Sequence, residues 1–105
     1  MHPRDGEILE QLAKRIREVE PTARIWAFGS RARGTARPDS DFDLCIVVPD
    51  VTGELKSHIR DLAWEVAFEH GLVIPTLIFS EESFERGPTS ASTLVANILK
   101  EGVAA

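Results

Sequence analysis

The sequence predicts a single domain of the α/β (α+β) class, on three observations. Helical apolar stripes alternate with short strand patterns along the 105 residues. The clearest strand, 41–48, turns apolar on both faces by its middle, so helices must cover at least one side. No internal repeat, low-complexity stretch or linker divides the chain, so residues 1–105 are read as one domain.

The first helix is predicted between residues 6 and 20. Ile8, Leu9, Leu12, Ala13, Ile16 and Val19 fall on one face. Asp5 is the expected N-cap, and Pro21 stops the helix. Lys14, Arg15, Arg17 and Glu18 cover the wet side. Residues 24–29 form a short strand with β-compatible Ile25, Trp26 and Phe28, broken by Gly29-Ser30. A short helix over 30–34 would take Ser30 as N-cap and end at Gly34. Residues 35–40 are turn-rich loop.

In the strand 41–48, Phe42, Leu44, Ile46 and Val48 share one face; Asp41, Asp43, Cys45 and Val47 share the other. Pro49, Asp50 and Gly53 make the next turn. A second long helix over 54–70 buries Leu55, Ile59, Leu62, Ala63 and Val66. Trp64 and Phe68 project from nearly the opposite side, and the C-terminal segment is expected to cover them; a partner protein is the other reading. Gly71 ends that helix. A third strand over 72–79 contains Pro75, which lacks a ladder donor and points to an edge or a bulge. Residues 80–85 form a capped turn, and Gly87-Pro88 is a break. Thr89 or Ser90 would cap a last helix carrying Leu94, Val95, Ile98 and Leu99, ended by Gly102.

Composition narrows the function. A net charge of −5 disfavours a protein that coats nucleic acid, yet leaves room for a local basic pocket. The single cysteine, Cys45, has no internal disulfide partner and suits a reducing, cytoplasmic compartment. No apolar run is long enough to span a bilayer, and the N-terminus lacks a secretory apolar region. His2, His58 and His70 lack metal-ligand spacing.

The chemistry concentrates between residues 27 and 44. Aspartate is depleted from strands, yet Asp41 and Asp43 stand in alternate positions. Their Cα atoms should lie roughly 6–7 Å apart, close enough for the carboxylates to share divalent ions. Magnesium prefers such hard oxygen ligands, together with substrate phosphates. Two ions about 4 Å apart can activate one oxygen and stabilise another. Gly29 permits close backbone approach, and the Ser30 hydroxyl can donate to a phosphate oxygen. Arg31, Arg33 and Arg37 gather in one short loop, and arginine's forked donors match phosphate. Each part alone has a plain alternative: solvated strand-end aspartates, and a capped helix with surface arginines.

Together, Gly29-Ser30-Arg31-Ala32-Arg33-Gly34 and Ser40-Asp41-Phe42-Asp43-Leu44 resemble the signature of the nucleotidyltransferase fold, the DNA polymerase β-like superfamily. The chain is most similar to its minimal members. The resemblance implies a small mixed sheet of three or four strands with helices mainly on one face. It implies that Gly29 and Ser30 hold the terminal phosphates, that an arginine such as Arg31 or Arg33 clamps them, and that Asp41 and Asp43 bind one or two Mg²⁺ ions. The implied reaction is transfer of a nucleoside monophosphate from an NTP, usually ATP, to an acceptor hydroxyl. Minimal members commonly partner small helical HEPN proteins as antitoxins, and some modify a tyrosine on that partner.

One departure stands out. The family pattern places a third carboxylate on a later strand, where it helps deprotonate the acceptor. The matching strand has none, and Thr76 sits about where the acid is expected. Two readings follow. The chain is a Mg²⁺-dependent nucleotidyltransferase acting on a hydroxyl of a partner protein. Alternatively, it is a catalytically impaired nucleotide-binding subunit that docks and neutralises a small helical HEPN-type partner, with Trp64 and Phe68 as anchors. Nucleic-acid acceptors are disfavoured, and self-association is left open.

Overall fold

The computed structural model describes residues 1–88 and 92–105. Helix α1 spans Pro3–Val19, with a proline in its first turn, where a missing N–H costs nothing. His2, not Asp5, is its N-cap: His2 Nδ1 accepts the Arg4 N–H at 3.1 Å. Asp5 lies inside the first turn and is buried, because its carboxylate has a partner elsewhere in the fold. The chain then forms β1 (Arg24–Phe28), α2 (Gly29–Arg33), β2 (Asp43–Val48) and α3 (Gly53–His70). It closes with β3 (Thr76–Ser80), α4 (Glu81–Glu85), α5 (Thr93–Glu101) and a two-residue strand β4, Val103–Ala104, which the sequence pattern did not announce.

The sheet is mixed, in the order β3-β2-β1-β4. Strand β1 runs antiparallel to β2 and β4; β3 runs parallel to β2, which requires the crossover that α3 supplies. Alternation sends Ile25, Ala27, Leu44, Ile46 and Val48 to one side, where they join Ile8, Leu12 and Ile16 of α1 and Ile59, Ala63 and Val66 of α3. Each such buried branched side chain contributes about 1.5–3 kcal/mol. The opposite side carries Cys45 and Val47, with Trp26, Phe28 and Phe79 partly buried beside them. Phe84 of α4 and Val95 and Ile98 of α5 cover it. The two long helices thus share one face, as expected, and only short helices close the other.

Several boundaries move for physical reasons. Strand β2 starts at Asp43, so Asp41 stands just ahead of it. Strand β3 starts after Pro75, which has no N–H; the Val73 and Pro75 carbonyls still accept the Phe42 and Leu44 N–H groups at 2.9 and 3.0 Å. As the proline implied, β3 lies at a sheet edge. Thr89 and Ser90, the expected caps of the last helix, fall outside the described residues; Ser92 Oγ accepts the Val95 N–H at 3.1 Å and caps α5.

The expectation that the C-terminal segment covers Trp64 and Phe68 is overturned. They stack on each other at 5.4 Å and stay 64% and 75% exposed. Helix α5 packs on the other face of the sheet, and β4 adds to β1 at the edge away from β3, so neither reaches α3. Among the described residues, no helix is long and apolar enough to cross a membrane.

Candidate functional site

Strand pairing builds the site. Phe28, the last residue of β1, lies opposite Asp43, the first of β2, so the chain leaves β1 beside an aspartate. It leaves through Gly29 at φ +74°, a conformation that L side chains rarely adopt. A Cβ there would lie 2.4 Å from Asp43 Oδ2, so the carboxylate is seated where a side chain would be. Two independent demands therefore select glycine. Ser30, expected as N-cap, sits inside α2 instead, and no side chain caps that helix. Phe28 takes the cap position, so the Ser30 hydroxyl is not committed to capping.

Phe42, fully buried against α1 and α3, and Leu44 on its side of the strand turn Asp41 and Asp43 toward the other face. Asp41 is exposed and Asp43 half-buried. Burial, and then the neighbouring Asp41 charge, hold the Asp43 carboxyl above its usual range, while Arg33 pulls the other way. The structure thus brings Asp41, Asp43 and Arg33 within electrostatic reach. Two hard oxygen donors whose repulsion Arg33 only partly offsets fit a divalent cation such as Mg²⁺, whose charge would remove that penalty. Arg33 itself is exposed and lies 3.8 Å from Glu101, at the end of α5.

Arg31 is placed differently from the expectation of a phosphate clamp. It is 8% exposed. Its Nη1 donates to Asp5 Oδ1 at 3.0 Å, its Nη2 to the Ser40 and Pro38 carbonyls at 2.8 and 3.2 Å, and its Nε to Ser40 at 3.2 Å. The guanidinium holds the residues immediately before Asp41 from within, anchored on α1. Local pattern did not reveal Asp5 in this part: the pair is 26 residues apart, and an acid in a first helical turn reads as a cap. Arg37 is exposed; its backbone N–H donates to Ser40 Oγ at 2.9 Å, tightening the turn before the acids.

Thr76 does not stand where a third acid belongs. The parallel register pairs Leu44 with Thr76 and Ile46 with Ile78, and paired residues share a face. Thr76 therefore faces the side of α3, and its Oγ1 donates to the Ile74 carbonyl at 3.1 Å. The same register, continued one step, puts Pro75 beside Asp43 on the acid face. Both faces of 72–79 are apolar, so alternation alone could not assign the parity. Glu65 bonds Arg15 and Glu69 bonds Gln11, which directs both toward α1. Among the described residues, no three His, Cys, Asp or Glu side chains gather to hold a metal. Cys45, on the acid face deeper in the strand, is pushed up to about 12 by burial, against a smaller opposing effect of Arg24, so it stays a neutral core thiol.

A family model described as a nucleotidyltransferase domain matches residues 9–104. Among solved structures, the chain is similar to a toxin–antitoxin crystal structure with AMP-PNP: 21% identity, TM-score 0.63, covering 90% of this chain and 69% of that one. It is similar also to two mutants of the toxin–antitoxin MntA-HpeT. One gives 21% identity, TM-score 0.62 and coverage of 91% and 69%. The other gives 19% identity, TM-score 0.60 and coverage of 95% and 70%. No curated protein matches the chain. At these identities the structural likeness establishes the fold.

Proposed function

The chain belongs to the nucleotidyltransferase domain family, and on that premise we propose that it transfers AMP from ATP to a hydroxyl of a partner protein. The observation that carries the reading is the Asp43 carboxylate seated on Gly29, next to Ser30 and Asp41. Asp41 and Asp43 would hold Mg²⁺, which when bound supplies neutralising charge at the triphosphate and activates an attacking oxygen. Gly29, with no side chain, lets the Asp43 carboxylate sit against the turn, and Ser30 Oγ donates to a terminal phosphate oxygen. Arg33 leaves Glu101 for the triphosphate at little cost, because an exposed pair is worth about 0–1 kcal/mol. Arg31 keeps the Asp41 approach in place. That similar structures are toxin–antitoxins supports a protein partner, which we take to be a small helical protein of the HEPN type.

The absent third acid sets an expectation for rate. With only two carboxylates at the site among the described residues, deprotonation of the acceptor lacks a dedicated base, so turnover is slow. Pro75→Asp places a carboxylate beside Asp43 and is expected to raise transfer by about 100-fold, the lower range of general-base effects. Thr76→Asp, on the other face, is expected to leave the rate unchanged. Single-turnover assays with labelled ATP compare them; equal rates for both variants count against this register.

A second reading has its own support: the missing acid together with the exposed Trp64–Phe68 stack. In it the chain binds nucleotide and docks its partner without transfer. The discriminating experiment incubates protein, labelled ATP, Mg²⁺ and the partner. Label on the partner, lost with Asp43→Asn, establishes the transferase. A stable unlabelled complex that survives Asp43→Asn, but dissociates when Trp64→Ala and Phe68→Ala are combined, establishes the docking subunit.

A further inference from the structure

We propose that the cavity behind the 34–40 loop is a second anion site, one that takes a phosphate monoester. The cavity has a volume of about 340 Å³ and is lined by Arg4, Arg31, Arg37, Asp5, Ile8 and Leu72, among others. Gly29, Ser30, Asp41 and Asp43 do not line it. The inference stands independently of the role of the acids.

Charge selects the ligand. The chain carries a net charge of −5, yet three arginines face this space against one acid, Asp5. Asp5 is already spent on Arg31 at 3.0 Å. Arg15, Arg24, Arg31 and Arg33 each meet a carboxylate, whereas among the described residues Arg4 and Arg37 meet none. Two guanidinium forks without a counter-ion at the rim of one cavity match a phosphate dianion better than a single carboxylate. At the floor, Arg31 has five N–H donors, and its bonds to Asp5, Pro38 and Ser40 leave the second Nη1–H unspent. Ile8 and Leu72 add apolar wall, and the volume falls in the range of small-ligand sites, enough for the nucleoside of a mononucleotide.

The test uses the full chain carrying Ser30→Ala, Arg33→Gln, Asp41→Asn and Asp43→Asn, in chelator, so that neither metal nor the proposed phosphate contacts remain at the candidate active site. Inorganic phosphate, AMP and adenosine are titrated separately while the Gly34, Ala36 and Gly71 amide resonances, all on the cavity lining, are followed. Phosphate and AMP are expected to move these amides, and adenosine to leave them still. Adding Arg4→Gln and Arg37→Gln is expected to weaken binding at least about tenfold for each lost fork, a change of about 1.4 kcal/mol per tenfold. Both arginines are exposed, so circular dichroism should report an intact fold. AMP binding tighter than phosphate assigns the apolar wall to a nucleoside; equal binding assigns the site to the phosphate group alone. Amides unmoved by both phosphates, equal shifts with adenosine, or binding unchanged in the double arginine variant would overturn the proposal.

Discussion

Asp43→Asn is expected to abolish transfer and, in the same protein, to raise the melting temperature of the metal-free form. The first effect follows from chemistry. Losing even an outer-shell partner of a metal ligand typically costs 10–100-fold, so removing a ligand itself should cost at least about 100-fold in rate. The second follows from linkage. Asp43 titrates near 3.8 when unperturbed, and burial together with the Asp41 charge raises it in the folded state. Between the two values the folded chain holds the extra proton, so stability falls as pH rises through that window. The loss is complete above the folded value. Asparagine carries no charge and escapes it. Melting in chelator at neutral pH should therefore place Asp43→Asn above the parent, and the gap should close as pH falls toward 4. Magnesium should raise the parent's melting temperature and leave the variant's unchanged. A parent that melts higher than the variant in chelator would remove the electrostatic account of this acid pair.

Asp5→Ala is expected to be the most destabilising single change outside the apolar core. It strands the Arg31 guanidinium in a site where that residue is 8% exposed. Breaking a buried pair from one side costs about 3–5 kcal/mol. A domain of this size holds only about 5–15 kcal/mol in total, so the melting temperature should drop by more than about 10 °C. Replacing both partners, Asp5→Leu with Arg31→Met, should recover much of that stability, because no charge is left unpaired. It should not recover transfer. The Ser40 and Pro38 carbonyls lose their donor, and Ser40 is the residue before Asp41. Chemical denaturation and single-turnover rates, measured on the same three proteins, separate the two roles. Full activity in the double variant would show that Arg31 stabilises the fold without positioning the acids.

Both expectations rest on the unequal way the chain wrote its site into its sequence. Within the candidate site, Gly29, Ser30, Asp41 and Asp43 stand out in the sequence because each departs from its surroundings within a few residues: a glycine after a strand, an acid where β-branched residues belong. The long helices were legible from the spacing of Leu12 and Ile16, and of Ile59, Ala63 and Val66. The inward turn of Arg31 is not legible locally, because its partner Asp5 comes from another helix. The face of Thr76 is not legible locally, because both sides of 72–79 are apolar, and only pairing with Leu44 settles which residue faces Asp43. Large apolar side chains are generally covered, but the path of α5 to the other face leaves Trp64 and Phe68 in solvent.

By itself the amino-acid order determined the two long helices and the three longer strands, though not the two-residue β4, and placed two acids after a glycine–serine turn and an arginine-rich loop. Those properties depend on neighbours a few residues away, where backbone geometry and periodicity act directly. The tertiary structure alone decided that Arg31 points inward, that Pro75 rather than Thr76 flanks the acids, and that one aromatic pair remains uncovered. Each of these depends on contacts between segments distant along the chain, and such contacts exist only once the sheet order has been chosen.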